Sequence, residues 1–372
     1  MRNIFLGVFL CLFFESCISE RNDTISDSVI VINPFLKEDF EPVIEIKKIV
    51  KLESKPDLPL VSPFWTIEFV NDKFYIADAF RGYFYIFNND GKFLERVGKL
   101  GSGPGEFTTI FDLDFDPFDS VFVVFAHNDR KVLRYNLDGK FVNEFYIDFF
   151  AKELIPLENG FIFYVDFNSS EINDEKNILL TNTNGKIDHS YLKYIETDRP
   201  SIEFSGFLSK NNLGALYATS LEDTIYQITE NALYPRYVVD FGSYRVPAKV
   251  KSDPALDGLI DYSILNRPGF ETDKYLILPF THKRYKNKLF YNKESGKSSI
   301  DREMENPIFQ LFSVPSSSGK QGNFISEISF GQWFSLAQSK KDMIAVLYPE
   351  LYEMLKNFTE EDNSILVIYS IF

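Results

Sequence analysis

Residues 83–93 read Tyr83-Phe84-Tyr85-Ile86-Phe87-Asn88-Asn89-Asp90-Gly91-Lys92-Phe93, and this pattern decides the fold. An apolar strand leads into an Asp-Gly turn, which supplies the positive φ angles of a tight hairpin, and a second strand follows. The pattern recurs at residues 132–141, 178–187, 224–231 and 288–297. Its turn glycines Gly91, Gly139 and Gly185 are 48 and 46 residues apart, a period typical of β-propeller blades.

A continuous apolar run precedes each hairpin, at residues 74–77, 121–126, 161–165, 213–218 and 275–280. Continuous rather than alternating apolar residues predict strands that are covered on both faces. Parallel α/β sheets also contain such strands, but no amphipathic helix of crossover length separates these runs. Sheets stacked face to face around an axis satisfy both observations, so the sequence predicts a β-propeller.

The hairpins give five blades, and the C-terminal part of the chain supplies a sixth. We expect its strands at residues 308–314, 324–330, 343–347 and 366–372, with a short helix at 348–357. Residues 43–52 form a lone strand before the first complete blade, and pairing with the last blade would close the ring. The predicted fold is an all-β, six-bladed β-propeller of four-stranded antiparallel blades over residues 43–372, with an insertion at about residues 244–274.

The N-terminus has the anatomy of an export signal. Arg2 precedes an apolar run at residues 4–14, which is too short to span a bilayer as a helix. The only two cysteines are Cys11, inside the run, and Cys17, at its end. Ser16 and Cys17, followed by a polar stretch, resemble the lipobox of bacterial lipoproteins. We therefore expect a signal peptide at residues 1–16, a lipidated Cys17 and a polar linker to residue 42.

A plain secretory signal that is cut near Ser16 is the alternative, and it would leave Cys17 as a free thiol. Lipidation is favoured because an exposed free thiol is a liability in an exported protein. The attached lipid would hold the protein on a membrane surface.

The chain is strongly acidic. Asp and Glu number 54 against 39 Lys and Arg, which gives a formal net charge of -15. This charge repels a phosphate backbone, so nucleic acid is not an expected partner. Hydrophobic residues make up 45% of the chain and provide enough apolar surface for a large core, which excludes a disordered protein.

Several stretches of the sequence resemble a known family. The most specific is Asp90-Gly91-Lys92-Phe93-Leu94-Glu95-Arg96-Val97-Gly98-Lys99-Leu100-Gly101-Ser102-Gly103-Pro104-Gly105-Glu106-Phe107. Weaker matches lie at residues 50–53, 223–226 and 361–367. Together they resemble the six-bladed β-propeller lipoproteins of Bacteroidetes, which are related to NHL-repeat propellers. The resemblance implies the propeller fold and a place in the cell envelope, at the outer membrane, but it implies no activity.

No catalytic constellation stands out. The glycine-rich run at residues 101–106 lacks the ending and the following helix of a phosphate-binding loop, so we expect a turn between blades. Asp112, Asp114 and Asp116 alternate along a predicted strand, which puts three carboxylates on one face. They do not match an EF-hand loop, but a calcium ion on the propeller axis is one hypothesis for them. The alternative is that these aspartates are solvated or cap turns.

Basic residues recur in the loop between the second strand and the hairpin of several blades. In NHL-type propellers, to which this family is related, that loop lies on one face near the axis. We therefore expect a candidate ligand face that combines Arg81, His127, Arg130, His282 and Arg284. Positive charge at this place on an acidic protein would favour an anionic ligand. The alternative is that these residues only pair with acidic neighbours.

Two functions stay open at this point. The first is an envelope lipoprotein that binds a glycan, a peptide or another envelope protein through its propeller face and catalyses no reaction. The second is a metal-dependent lactonase- or lyase-like enzyme, since six-bladed propellers host such activities. The sequence favours binding because no Ser/His/Asp, Cys/His or metal-ligand set is visible in it.

Overall fold

The computed structural model has six sheets that stack around an axis, so the predicted six-bladed β-propeller is confirmed. The residues that the structure describes are 29–36, 40, 42–55, 66–78, 81–110, 112–167, 175–194, 207–251, 258–303, 317–318 and 323–371. Among these residues, three α-helices interrupt the strands, namely α1 (Ala248–Lys251), α2 (Phe330–Leu347) and α3 (Pro349–Leu355).

The strands are assigned to blades in chain order. Two strands, β1 (Ile30–Ile32) and β2 (Ile44–Lys51), precede the first blade. Blade 1 contains β3 (Thr66–Val70), β4 (Lys73–Asp78), β5 (Tyr83–Asn88) and β6 (Phe93–Val97). Blade 2 contains β7 (Asp112–Asp116), β8 (Val121–Ala126), β9 (Lys131–Asn136) and β10 (Phe141–Tyr146). Blade 3 contains β11 (Glu153–Leu157), β12 (Gly160–Tyr164), β13 (Lys176–Asn182) and β14 (Ile187–Lys193).

The second half of the ring continues in the same way. Blade 4 contains β15 (Leu208–Asn211), β16 (Gly214–Tyr217), β17 (Thr224–Ile228) and β18 (Leu233–Val239). Blade 5 contains β19 (Ser263–Leu265), β20 (Phe270–Glu271), β21 (Tyr275–His282), β22 (Tyr285–Asn292) and β23 (Ser298–Arg302). Blade 6 contains β24 (Ser317–Ser318), β25 (Asn323–Ile328) and β26 (Ile365–Ile371), with β2 as its fourth strand.

The innermost strands form a closed ring around the axis. Strands β3, β7, β11, β15, β20 and β24 contact one another in that order, and β24 contacts β3. In blade 5 the inner strand is divided, because β19 pairs with one end of β21 and β20 pairs with the other end. Residues 266–269 lie between these two pieces. Side chains of the inner strands therefore occupy the centre of the molecule.

Strand β2 closes the ring as predicted. It pairs antiparallel with β26, from Ile44 opposite Ile371 to Lys51 opposite Ile365. Blade 6 thus takes one strand from the N-terminal part of the chain and three from the C-terminal part. This pairing covers the edge of β26, all seven residues of which are buried.

Strand β1 lies within the segment that was expected to be linker. It pairs in parallel with β18, from Ile30 opposite Tyr237 to Ile32 opposite Val239, and so adds a fifth strand to blade 4. After it, the ring of Phe35 packs against those of Phe241 and His282, with centroids 6.4 and 5.0 Å apart. Residues before the first blade therefore also contact blades 4 and 5.

The expected strand at residues 343–347 is wrong, because these residues form the last turn and a half of α2. A capping box begins this helix: Gln332 N donates to Ser329 Oγ, and the Gln332 side chain accepts from Ser329 N. A five-residue apolar run cannot be distinguished from a strand by its pattern alone. The other expected elements of this blade, at residues 324–330, 348–357 and 366–372, correspond to β25, α3 and β26. Residues 308–314 lie outside the described residues.

The topology defines two faces of the disc. The loop face carries the connections between the second and third strands of each blade, together with the starts of the inner strands. The turn face carries the repeated hairpins, such as the one in which Gly91 N donates to Asn88 O at 2.9 Å with a φ of +79° at Gly91. Six apolar clusters fill the spaces between neighbouring blades.

Candidate functional site

The three alternating aspartates of β7 have three different roles. Asp112 Oδ2 accepts a hydrogen bond from Leu154 N of blade 3 at 3.1 Å. Asp114 forms an ion pair with Lys210, and Asp116 accepts two hydrogen bonds from backbone N–H groups of the following turn. Their carboxylates therefore have separate partners. Within the described ranges, no group of three or more His, Cys, Asp or Glu side chains could hold a metal ion.

A lysine joins two blades across the axis. Lys210 Nζ in β15 of blade 4 lies 2.6 Å from Asp114 Oδ1 in β7 of blade 2, and it also donates to the backbone oxygen of Phe115. Burial acts to lower the pKa of Lys210, but the charges of Asp114 and Glu68 outweigh it and raise this pKa above its usual value. The ammonium group therefore stays charged at the centre of the ring.

Glu68 in β3 faces this pair. Desolvation and the charge of Asp114 raise the pKa of Glu68 to about 8, although Lys210 acts in the opposite direction. Among the described residues, the Glu68 carboxyl group has neither a hydrogen-bond nor an ion-pair partner. Its carboxyl group is therefore mostly protonated at neutral pH.

Two carboxyl groups at the loop-face ends of inner strands connect neighbouring blades. Asp112 bonds to blade 3 as described above, while Glu153 of blade 3 accepts from Phe207 N and Leu208 N of blade 4 at 3.0 and 2.8 Å. Desolvation and the charge of Glu153 raise the pKa of Asp112 to about 7. Desolvation also raises the pKa of Glu153, against the effect of its two backbone partners. The oxygens of both groups are thus already occupied by N–H donors.

A small cleft opens beside these carboxyl groups, between blades 4 and 5. We call it the axial cleft, and it is lined by Phe207, Ala218, Thr219, Ser220, Leu265, Asn266 and Arg267. These residues come from the start of β15, from the loop after β16 and from the interruption between β19 and β20. The cleft contains about 150 Å³ of space including its open mouth. Its lining combines apolar walls with hydroxyl, amide and guanidinium groups.

Arg267 is the charged residue of the axial cleft. Its guanidinium carbon lies 4.9 Å from the centroid of the Phe270 ring, and its Nε is buried without a hydrogen-bond partner. No carboxylate of the described residues lies within ion-pair distance of it. Desolvation lowers the pKa of Arg267, whereas the charges of Glu153 and Asp112 raise it. The N–H donors of Arg267 are therefore available to an acceptor that enters the cleft.

The basic residues predicted from the sequence lie on the loop face, in three different blades. Arg81 in blade 1 forms an ion pair with buried Asp78 of its own loop at 2.7 Å. In blade 2, His127 Nδ1 contacts the backbone oxygen of Ala151, and Arg130 lies over the Phe150 ring, 5.4 Å from its centroid. The structure thus brings His127 and Arg130 together around the connection to blade 3.

The two predicted residues of blade 5 have other surroundings. His282 Nδ1 is 2.8 Å from Ser263 Oγ, and the His282 ring packs edge-on against Tyr244. Burial lowers the pKa of His282. Arg284 is exposed and has a φ of +74°. His282 and Arg284 are therefore distant from the basic residues of blades 1 and 2. Blade 6 lies between them on one side of the ring, and blades 3 and 4 lie between them on the other.

Sequence reasoning missed Glu153, Lys210 and Arg267. They come from three different blades, so no spacing along the chain connects them. A signal was available for Lys210, because it is the third residue of its inner strand, as Glu68 is in β3 and Asp114 is in β7. Arg267 lies inside the expected insertion and has no counterpart in the other blades.

The predicted lipid anchor on Cys17 lies outside the described residues, which begin at residue 29. No helix within the described ranges is long and apolar enough to cross a membrane.

Solved structures similar to this chain include two Bacteroides proteins. A protein of Bacteroides fragilis NCTC 9343, described as exported, is 21% identical and superposes with a TM-score of 0.76 over 93% of this chain and 100% of its own. A DUF4221 family member from Bacteroides vulgatus is 9% identical, with a TM-score of 0.54 over 89% of this chain and 99% of its own. These likenesses concern the fold, and they agree with the resemblance to Bacteroidetes propellers.

The chain also matches a family of sequences. No curated protein sequence matches the chain significantly. The family described as "Domain of unknown function (DUF4934)" matches residues 39–370, which include every blade of the propeller. The chain therefore belongs to the DUF4934 family.

Proposed function

We propose that the protein is exported, is anchored in the cell envelope through a lipid on Cys17, and binds a ligand or partner on the loop face of its propeller without catalysing a reaction. The apolar run at residues 4–14 and the cysteine that follows it support the anchor. The exported Bacteroides fragilis relative with the same fold agrees with this location.

The axial cleft is the observation that carries the binding proposal. Ligand sites combine apolar walls with a few polar groups that fix orientation, and the cleft offers Phe207 and Leu265 beside Thr219, Asn266 and Arg267. The carboxyl groups next to it, Asp112 and Glu153, already accept backbone hydrogen bonds, which favours a binding role over general acid–base chemistry. Arg81, His127, Arg130, His282 and Arg284 would contribute further contacts from the surrounding loops.

The anchor is tested by replacing Cys17 with Ser. We expect the native N-terminus to carry a lipid mass on Cys17, and we expect Cys17→Ser to leave the membrane fraction. An unmodified Cys17 in the mature protein, or a Cys17→Ser protein that stays in the membrane fraction, would contradict the anchor.

The binding site is tested by filling the axial cleft. A panel of oligosaccharides and peptides is screened for compounds that raise the melting temperature of the protein. Thr219→Trp places a large ring in the cleft, whereas Asn231→Trp adds the same ring to an exposed turn on the opposite face. We expect the ligand-induced shift to vanish in Thr219→Trp and to persist in Asn231→Trp. Equal shifts in both variants would place the binding site elsewhere.

A further inference from the structure

Arg267 Nε is a buried N–H donor without an acceptor in the described part of the chain. A guanidinium group has five N–H donors and is always charged, and burying such donors without acceptors is unfavourable. Within the described part of the chain, the Arg267 guanidinium group lies over the face of the Phe270 ring, and the charges of Glu153 and Asp112 act on it without forming an ion pair. An acceptor supplied from outside the chain would therefore satisfy this buried Nε–H donor.

The neighbouring carboxyl groups do not supply that acceptor. Asp112 accepts from Leu154 N at 3.1 Å, and Glu153 accepts from Phe207 N and Leu208 N. These bonds hold the two carboxyl groups against blades 3 and 4. Arg267 is thus the charged hydrogen-bond donor of the cleft.

We propose that the axial cleft binds the carboxylate of a small acidic group, which receives paired hydrogen bonds from the Arg267 guanidinium. The inference rests on the proposed function and names the ligand chemistry of the same site. A planar carboxylate matches the fork of a guanidinium group, and such charge-assisted pairs are among the strong hydrogen bonds of proteins. The cleft is small and open at its mouth, so a ligand would place only its acidic end against Arg267.

A second carboxyl group near the bound carboxylate affects the pH dependence of binding. The titratable and charged groups that act on Asp112 are Glu68, Asp114, Glu153 and Arg267. Because the pKa of Asp112 is already about 7, a ligand carboxylate would raise it further and favour the protonated form, whose charge does not oppose the ligand. Binding is therefore accompanied by proton uptake and weakens as the pH rises from 6 to 8.

Matched pairs of small probes test the proposal by calorimetric titration. N-Acetylglycine is compared with N-acetylglycinamide, and glucuronate with glucose, so that each acid has a neutral partner of similar shape. We expect an acid to bind about 10-fold or more tightly than its neutral partner, which corresponds to one charge-assisted hydrogen bond. The two pairs distinguish an acylated amino acid from a sugar acid as the source of the carboxylate. Equal affinity within both pairs overturns the proposal.

Arg267→Gln and Arg96→Gln form a matched pair of variants. Arg96 also lies over an aromatic ring, with its guanidinium carbon 4.6 Å from the Tyr83 centroid, but on the outer strand of blade 1. We expect Arg267→Gln to lose the preference for the acid and Arg96→Gln to keep it. Retention of the preference in folded Arg267→Gln overturns the proposal.

The pH dependence gives a test that does not need a variant of Arg267. We expect the affinity of the acid for the unaltered protein to fall between pH 6 and pH 8, and Asp112→Asn to remove this dependence. An affinity that does not change with pH overturns the role of Asp112. If Thr219→Trp abolishes binding while Arg267→Gln does not, the proposed function stands and the carboxylate inference fails.

Discussion

Lys210 Nζ lies 2.6 Å from Asp114 Oδ1, although the two residues are 96 positions apart in the chain. They belong to the inner strands of blades 4 and 2, so the ion pair connects non-adjacent blades across the axis. In the described ranges, the inner strands contact those of the neighbouring blades in turn. The pair therefore constrains the ring in a way that the repeated hairpins do not.

We predict that Asp114 and Lys210 are energetically coupled. Asp114→Asn and Lys210→Met should each lower the free energy of unfolding by about 1–3 kcal/mol, less than the 3–5 kcal/mol of a fully buried pair, because 33% of the Lys210 side chain is exposed. The double variant should lose less free energy of unfolding than the two single variants together. Chemical denaturation of the four proteins measures these values, and strictly additive losses would mean that the pair contributes nothing as a pair.

The raised carboxyl pKa values predict how stability depends on pH. Folded Glu68 and Asp112 hold their protons up to about pH 8 and pH 7, whereas both carboxyl groups lose them near pH 4 in the unfolded chain. The folded state thus binds more protons across this window. These two groups therefore lower the free energy of unfolding as the pH rises from 5 to 8, by up to about 1.4 kcal/mol per pH unit each.

Glu68→Gln should flatten this dependence because the amide does not titrate. Glu95→Gln, at an exposed position of β6, provides the control and should keep the slope of the unaltered protein. Urea denaturation at several pH values measures the slopes. The same slope in Glu68→Gln and Glu95→Gln would show that Glu68 titrates alike in the folded and unfolded chains.

Two turn glycines have similar positive φ angles but different surroundings. Gly91 and Gly296 have φ angles of +79° and +71°, but a Cβ at Gly91 would lie 2.3 Å from Lys51 O, whereas a Cβ at Gly296 meets nothing within 4 Å. Gly296→Ala should therefore lose about 1–2 kcal/mol from the positive φ alone. Gly91→Ala should lose more stability, because the added methyl group pushes β2 away from blade 1. Thermal unfolding compares them, and equal losses would argue against this close packing.

Ring closure predicts the effect of shortening the chain. A chain that begins at residue 29 retains β1 and β2, one that begins at residue 40 loses β1, and one that begins at residue 56 also loses β2. We expect the first to match the mature protein in melting temperature, the second to be moderately less stable, and the third to aggregate because the edge of β26 is uncovered. A monomeric third chain with an unchanged melting temperature would refute closure by β2.

The sequence allowed the fold to be predicted because its determinants are local and repeated. The Asp-Gly turns at Gly91 and Gly139 specify hairpins without help from the rest of the chain. The strand expected at residues 343–347 failed because its apolar run is equally compatible with a helix, and the deciding signal is the capping box at Ser329, fourteen residues upstream.

The centre of the molecule could not be predicted in the same way. Glu68, Asp112, Glu153, Lys210 and Arg267 meet only after the ring has closed, so their distances along the chain carry no pattern. The basic loops were assigned to one face by analogy with related propellers, and their role in binding a ligand stays a prediction. Arg267, the charged residue of the axial cleft, instead lies between β19 and β20, in a segment that has no counterpart in the other blades.

The central claim is that the axial cleft receives a carboxylate on Arg267, and diffraction can locate such a ligand directly. Crystals of the protein are soaked in 4-iodobenzoate, and the iodine is found from its anomalous scattering. We predict one site in the axial cleft, with the carboxylate oxygens within about 3 Å of the Arg267 guanidinium nitrogens. Iodine bound only at other surfaces, at a concentration that saturates binding in solution, would contradict the claim.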